Sequence, residues 1–149
     1  MAKSVLILLG SKSDQQFADD AGVMLEKLGI EFEIVISSAH RHPEKTASLA
    51  REAAGKGYKI IICMAGMAAH LPGVVAAQTN LPVIGVPLPA SLGGVDSVLS
   101  MTQMPPGIPV ATVAIGKAGA VNSAILAARI LGLTDSGIAE KHRQYRESL

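Results

Sequence analysis

The sequence predicts an α/β domain, a three-layer αβα sandwich built around a parallel sheet. Its strand-like segments, such as Val5-Leu6-Ile7-Leu8-Leu9 and Ile60-Ile61-Ile62-Cys63-Met64, are continuous apolar runs. An alternating pattern marks a sheet with one wet face, whereas an unbroken run marks strands covered on both. Segments of helical period separate these runs, and the breaks between them fall on glycine and proline.

Ser4 to Leu9 is the first strand and stops at Gly10. From Gln15 to Leu28 the helical period places Phe17, Ala21, Met24, Leu25 and Leu28 on one face, and Gly29 closes that helix as its C′ residue. Glu31 to Ile36 is the second strand, and Pro43 suits the first turn of a helix running to about Gly55. Tyr58 to Met64 is the third strand, followed by a helix over Ala69 to Gln78 that must hold Pro72 in its first turn. Leu81 to Val86 is the fourth strand, Leu88 to Gly94 a loop, and Val95 to Met101 a short helix. Gln103 to Gly107 is too rich in proline for regular structure. Val110 to Ile115 is the fifth strand, Ala118 to Leu131 an alanine-rich helix, and Ser136 to Leu149 a charged terminal helix with Ile138 and Tyr145 as anchors. No repeat or linker divides the chain, so residues 1–149 are expected to form one catalytic domain, with helix 136–149 packing on a neighbouring subunit.

At 149 residues, 49% hydrophobic and 17% charged, the chain can bury a real core. A net charge of +1 provides no broad basic field, which argues against nucleic acid or an anionic membrane as partner. A mean hydropathy of +0.39 is high for a small soluble monomer, and the surplus apolar surface predicts a homo-oligomer. The single Cys63 excludes an internal disulfide and suits a reducing cytoplasm; inside an apolar run it reads as an inert buried thiol. Met1-Ala2-Lys3 leads straight into a strand, without the pattern of a signal peptide, and no apolar stretch reaches the roughly 18 residues of a membrane span.

Three strand endings carry polar chemistry: Gly10-Ser11-Lys12-Ser13-Asp14, Ser38-Ala39-His40-Arg41-His42-Pro43 and Ala65 to Gly73. In an open α/β sheet ligands sit beyond the carboxyl ends of the strands, so the three describe one site. The first places hydroxyls and free amides at a helix N-terminus, which favours phosphate; alone, Asp14 serves equally as a helix cap. In the second, Arg41 offers a fork of donors to phosphate, Ser38 a hydroxyl, and His40 an imidazole able to exchange a proton near neutral pH. Small residues in the third, Gly66 and Ala68 among them, let a planar ligand approach the backbone, and His70 either touches substrate or bonds a loop carbonyl. The chain lacks a G-x-G-x-x-G fingerprint, a P-loop and the H-E-x-x-H zinc motif, and its few aromatic residues suit a flavin poorly.

Taken together, G-S-x-S-D at Gly10 to Asp14, S-A-H-R at Ser38 to Arg41, A-A-H-L-P-G at Ala68 to Gly73, P-V-I-G-V-P at Pro82 to Pro87, Q-M-P at Gln103 to Pro105 and A-I-G-K-A-G-A at Ala114 to Ala120 closely resemble the N(5)-carboxyaminoimidazole ribonucleotide mutase family of purine synthesis. The resemblance implies a flavodoxin-like subunit, a homo-octamer with sites at subunit interfaces, and neither metal nor organic cofactor. It implies that a carboxylate moves from the exocyclic nitrogen of an aminoimidazole ribonucleotide to its ring carbon, by decarboxylation and recarboxylation in a closed pocket. Carried over by position, Ser11, Asp14 and Arg41 are substrate-binding, Ser38 is a further phosphate contact, and His40 is the proton-transfer histidine. Gly66 to Ala69 and Leu71 would enclose the released carbon dioxide. A carboxylase branch uses carbon dioxide directly; it typically carries lysine in place of Arg41 and lacks the His-Leu-Pro-Gly turn, so the mutase branch is favoured. A noncatalytic nucleotide-binding module is the alternative from another class. Two departures from the family stand out: His42 where threonine is common, and Met67 where glycine is usual.

Overall fold

The computed structural model describes residues 2–149; Met1, placed by the sequence ahead of the first strand, lies outside them. Five strands form one parallel sheet in the order β2-β1-β3-β4-β5. They are β1 (Val5–Leu9), β2 (Phe32–Ile36), β3 (Ile60–Gly66), β4 (Val83–Leu88) and β5 (Ala111–Thr112). The helices are α1 (Gln15–Lys27), α2 (Pro43–Glu52), α3 (Leu71–Ala76), α4 (Val95–Thr102), α5 (Lys117–Leu131) and α6 (Ser136–Glu147), with a single 3-10 turn at Lys12–Asp14. This is the flavodoxin-like strand order, with its reversal between β1 and β3.

The continuous apolar runs serve both faces at once. Val5, Ile7 and Leu9 of β1 and Ile60, Ile62 and Met64 of β3 pack with Ala18, Ala21 and Leu25 of α1 and with Ala120, Ala124 and Ala127 of α5. The intervening Leu6, Leu8, Ile61 and Cys63 pack with Ala50 of α2, Leu71 and Val75 of α3 and Met101 of α4. Small residues on α1 and α5 bring these helices close to each other and to the sheet, and the few aromatic residues are not needed to fill the gap. At Gly22 an added Cβ would lie 2.8 Å from the Phe32 ring.

Helix ends follow the chemistry read from the sequence. Gly29 takes φ +74° just beyond α1, and the Ile30 amide bonds the Leu25 carbonyl, so glycine supplies the left-handed turn. Pro43 opens α2, and Pro72 lies in the first turn of α3, where a missing N–H costs nothing. Asp135 caps α6 by accepting the amides of Gly137 and Ile138, and Ile138 and Tyr145 anchor that helix to the core of its own chain.

Strand β3 spans Ile60–Gly66 rather than Tyr58 to Met64 and α2 ends at Glu52 rather than near Gly55, and larger differences fall at α3, β4 and β5. Helix α3 spans Leu71–Ala76 rather than Ala69 to Gln78, because the residues before it form the turn that carries His70. Strand β4 runs through Pro87 to Leu88: the Pro87 carbonyl accepts the Gly116 amide, and β5 does not extend far enough to require a Pro87 N–H. Strand β5 pairs over only two residues, Ala111 opposite Ile84 and Thr112 opposite Gly85, rather than over Val110 to Ile115. Cys63 is fully buried and burial pushes its thiol pKa up, as an inert core cysteine requires. No helix among the described residues is long and apolar enough to cross a membrane.

Candidate active site

Beyond the carboxyl ends of β1 and β3, at the reversal of strand order, lies a cleft of about 330 Å³. Gly10 and Ser11 after β1, Ser38 to Arg41 after β2, and Ala65 to Ala68 at the end of β3 face it, with His70 and Leu71 at the start of α3. Asp14 also lines it. All nine residues selected from the sequence (Ser11, Asp14, Ser38, His40, Arg41, Gly66, Ala68, His70 and Leu71) therefore meet in one cavity.

The first wall is the 3-10 turn leading into α1. Ser11 takes the role of cap: its Oγ accepts the Ser13 amide at 3.3 Å and lies 3.0 Å from the Ser13 hydroxyl. Asp14 makes no side-chain cap bond at the start of α1. Its carboxyl is half-buried, and desolvation raises its pKa above the ordinary carboxylate value while a backbone bond at Ser11 lowers it by less. The sequence left Asp14 divided between cap and ligand; here it is an uncapped acceptor facing the cleft.

The second wall is the loop between β2 and α2. The Ser38 Oγ accepts the Arg41 amide at 3.2 Å and keeps its own hydrogen to donate. The Arg41 side chain is exposed and forms no ion pair among the described residues, so its donors are open to an anionic group.

Across the cleft, His40 Nε2 lies 2.7 Å from His70 Nδ1, with the rings edge to face at 89° and centroids 4.9 Å apart. At that separation one facing nitrogen carries a hydrogen and the other a lone pair, so a single N–H···N hydrogen bond joins the two rings. His70 precedes α3 without capping it, and its Nδ1 meets His40 rather than a loop carbonyl.

The turn that delivers His70 is strained. Met67 has φ +55°, the one non-glycine residue with positive φ among those described, and the amides of Ala69 and His70 bond the carbonyls of Met67 and Ala68, each at 2.8 Å. A left-handed conformation costs a residue with a Cβ about 1–2 kcal/mol, which is why glycine suits this position. Gly66 sits where an added Cβ would lie 3.4 Å from the Leu88 carbonyl.

Leu88, Pro89 and Ala90 complete the lining and were not selected from the sequence. The signal was available: β4 lies beside β3, so its carboxyl end opens on the same edge. Leu71 forms a buried floor, but His40, Arg41, Met67, Ala68, His70, Pro89 and Ala90 are exposed in the isolated subunit. The single chain thus builds the walls of the pocket without closing it.

This architecture has close counterparts. The AIR carboxylase family matches residues 4–149. The N5-carboxyaminoimidazole ribonucleotide mutase of Pseudomonas aeruginosa is 53% identical over 150 residues, covering 100% of this chain and 88% of that protein. The enzyme of the same name from Brucella melitensis is 50% identical over 149 residues, covering 99% and 92%. The crystal structure of Treponema denticola PurE superposes with a TM-score of 0.87 at 36% identity, covering 98% of this chain and 90% of that one. With a match that spans the sheet, the cleft and all three strand endings, the chain belongs to the AIR carboxylase family.

Proposed function

We propose that this chain is an N(5)-carboxyaminoimidazole ribonucleotide mutase, an isomerase that makes 4-carboxyaminoimidazole ribonucleotide in purine (IMP) biosynthesis. Beside the relatives' activity, the observation that carries the reading is the hydrogen-bonded pair His40 and His70 in a cleft with an open arginine and a phosphate-suited turn.

The substrate is a small ribonucleotide. Its phosphate is held by Arg41, the Ser38 hydroxyl and the turn at Ser11; Asp14, which can only accept when ionised, suits a hydroxyl or amine instead. Binding energy from these non-reacting groups positions the imidazole ring over His40. As the bond between the exocyclic nitrogen and its carboxylate breaks, His40 donates a proton to that nitrogen and carbon dioxide is released. The ring carbon attacks the carbon dioxide, and His40 then removes the proton on that carbon, which restores aromaticity. One imidazole gives and regains one proton, so the cycle closes with no net change.

Carbon dioxide must stay until it is attacked, and Gly66, Ala68 and Leu71 form the apolar wall for it. Because the outer side of the cleft is open, a second copy of the chain is the natural cover. Exposed Leu92, Val95 and Leu99, on the loop and helix that follow Pro89 and Ala90, support such burial. The arrangement proposed is a homo-octamer, in a cytoplasm that keeps Cys63 reduced.

The test is conversion of synthetic N(5)-carboxyaminoimidazole ribonucleotide without ATP. Formation of the ring-carboxylated isomer supports the mutase. Product formed only from aminoimidazole ribonucleotide and bicarbonate would make the chain a direct carboxylase, and binding without turnover would make it a nucleotide-binding module.

A further inference from the structure

Among the described residues the buried serines and threonines are Ser37, Thr46, Ser97 and Ser123, and the first two bond each other at the foot of the loop that carries His40: Ser37 is 1% exposed, Thr46 is 0% exposed, and their hydroxyl oxygens lie 2.7 Å apart. Buried Ser97 and Ser123 instead spend their hydrogens on single backbone carbonyls, those of Leu88 and Ala120. Burying a hydroxyl without a partner is costly, and an apolar pair would fill the same space without that risk. The polar pair therefore calls for a role that an apolar one would not serve.

Its protons can be assigned. Thr46 donates Oγ1–H to the His42 carbonyl at 3.1 Å, an ordinary bond for threonine in the first turns of a helix. A hydroxyl has one hydrogen, so Ser37 must supply the hydrogen of the 2.7 Å contact. The chain Ser37 Oγ–H to Thr46 Oγ1–H to the His42 carbonyl then ties the end of β2 to the first turn of α2, each bond polarising the next.

These bonds fix both ends of one short loop. At its start the Ser37 amide donates to the Leu9 carbonyl at 2.9 Å, continuing the β1 to β2 ladder. At its finish the His42 amide donates to the Ser38 carbonyl at 2.8 Å, and the His42 carbonyl accepts from both the amide and the hydroxyl of Thr46. His40 stands at the apex, where its Nε2 meets His70.

We infer that Thr46, with Ser37, is a positioning residue that holds His40 at hydrogen-bonding distance from His70. The inference rests on the mutase reading for its kinetic consequence, and on geometry alone for its effect on the histidine pair. Thr46 touches neither substrate nor reacting atoms in this account. It acts by fixing the loop on which His40 is carried.

The experiment compares Thr46→Val, which keeps shape and loses the hydroxyl, with Thr46→Ser, which keeps the hydroxyl. Ring-nitrogen NMR of the histidines is recorded on the ligand-free protein, and kcat against pH is measured on folded protein checked by circular dichroism. Misplacement of a reacting group by about 1 Å can cost 10²-fold, so Thr46→Val is expected to lower kcat by about 10- to 100-fold, to displace the His40 and His70 ring signals and to alter the pH profile. Thr46→Ser should restore all three. A folded Thr46→Val protein with unchanged ring signals, or with kcat within about twofold of wild type, a change far below that misplacement effect, overturns the inference. Should Thr46→Val not fold, Ser37→Ala decides: it retains the Thr46 bond to His42 and must shift the same signals part of the way, and unchanged signals overturn the inference. Wild-type protein that makes no product defeats the mutase reading instead, while the ring signals still judge the positioning of His40.

Discussion

The charge of one aspartate sets function against stability in this cleft. Asp14 loses hydration without gaining a cap bond, so its pKa is raised in the folded chain. The folded state then binds that proton more tightly than the unfolded state, and the ionised carboxylate destabilises the fold at neutral pH. Asp14→Asn is expected to raise Tm at neutral pH, with the gain fading as pH falls through the folded pKa to the ordinary carboxylate range, and to weaken ribonucleotide binding. Thermal melts across that range, paired with titration calorimetry, check both effects. At His70 the expectation is a loss of rate: His70→Ala removes the partner of His40 Nε2 and should lower kcat by about 10-fold or more, the lower end of what a proton-transfer group supplies being about 10². The resemblance marks Asp14 as substrate-binding and His70 is open to a substrate contact, but neither the raised pKa of Asp14 nor the pairing of His70 with His40 was legible from sequence. Asp14 follows Gly10 to Ser13 as a helix cap would, and the His40 to His70 contact joins residues 30 apart in the chain. Met67 differs: its departure from a usual glycine was visible in the letters, and its positive φ supplies the physical reason.

Strands and helices were legible wherever a local rule decides them. The apolar runs of β1 and β3, Gly29 beyond α1 and the prolines at α2 and α3 each name their own structure. Boundaries set by a neighbour were not. Val110 to Ile115 reads as a strand, yet pairing covers only Ala111–Thr112, because ladder bonds depend on where β4 runs. The same limit hid the tie between Ser37 and Thr46, since Thr46 stands in the polar run Glu44-Lys45-Thr46 and nothing local announces its burial. Gly119 illustrates a neighbour overriding propensity. In a helix interior alanine is favoured over glycine by about 1 kcal/mol, but a Cβ at Gly119 would lie 1.6 Å from the Ala114 carbonyl oxygen. Overpacking costs typically about 1–3 kcal/mol and occasionally more, and a backbone atom has little room to yield. Gly119→Ala is therefore expected to destabilise the fold by about 2 kcal/mol or more, read as a lower urea midpoint. An unchanged or raised midpoint would show that the α5 N-terminus yields freely.

At the scale of the whole molecule, the fold gathers all its polar endings on one edge of the sheet and leaves the outer side of the cleft open. The sequence predicted that gathering through topology alone, since parallel strands joined by crossover helices all end on the same side. What covers the cleft follows from the resemblance, which implies sites at subunit interfaces, and not from topology. Leu92, Val95 and Leu99 are 67%, 59% and 59% exposed, which supports assembly with further copies. Sedimentation is expected to show a species well above the 15.3 kDa of one chain, and Leu99→Glu to reduce its size together with activity. A monomer that is fully active would leave the open cleft unexplained. The imidazole of His40 is central to the proposed reaction, and conversion of N(5)-carboxyaminoimidazole ribonucleotide by wild-type protein and by His40→Ala, with binding of the ribonucleotide measured alongside, tests it head-on. General acid–base groups contribute about 10²–10⁴-fold. The wild type is expected to convert the ribonucleotide and the variant to lose about a hundredfold or more with binding retained; a variant that turns over at a near-normal rate would rule out His40 as the proton-transfer group.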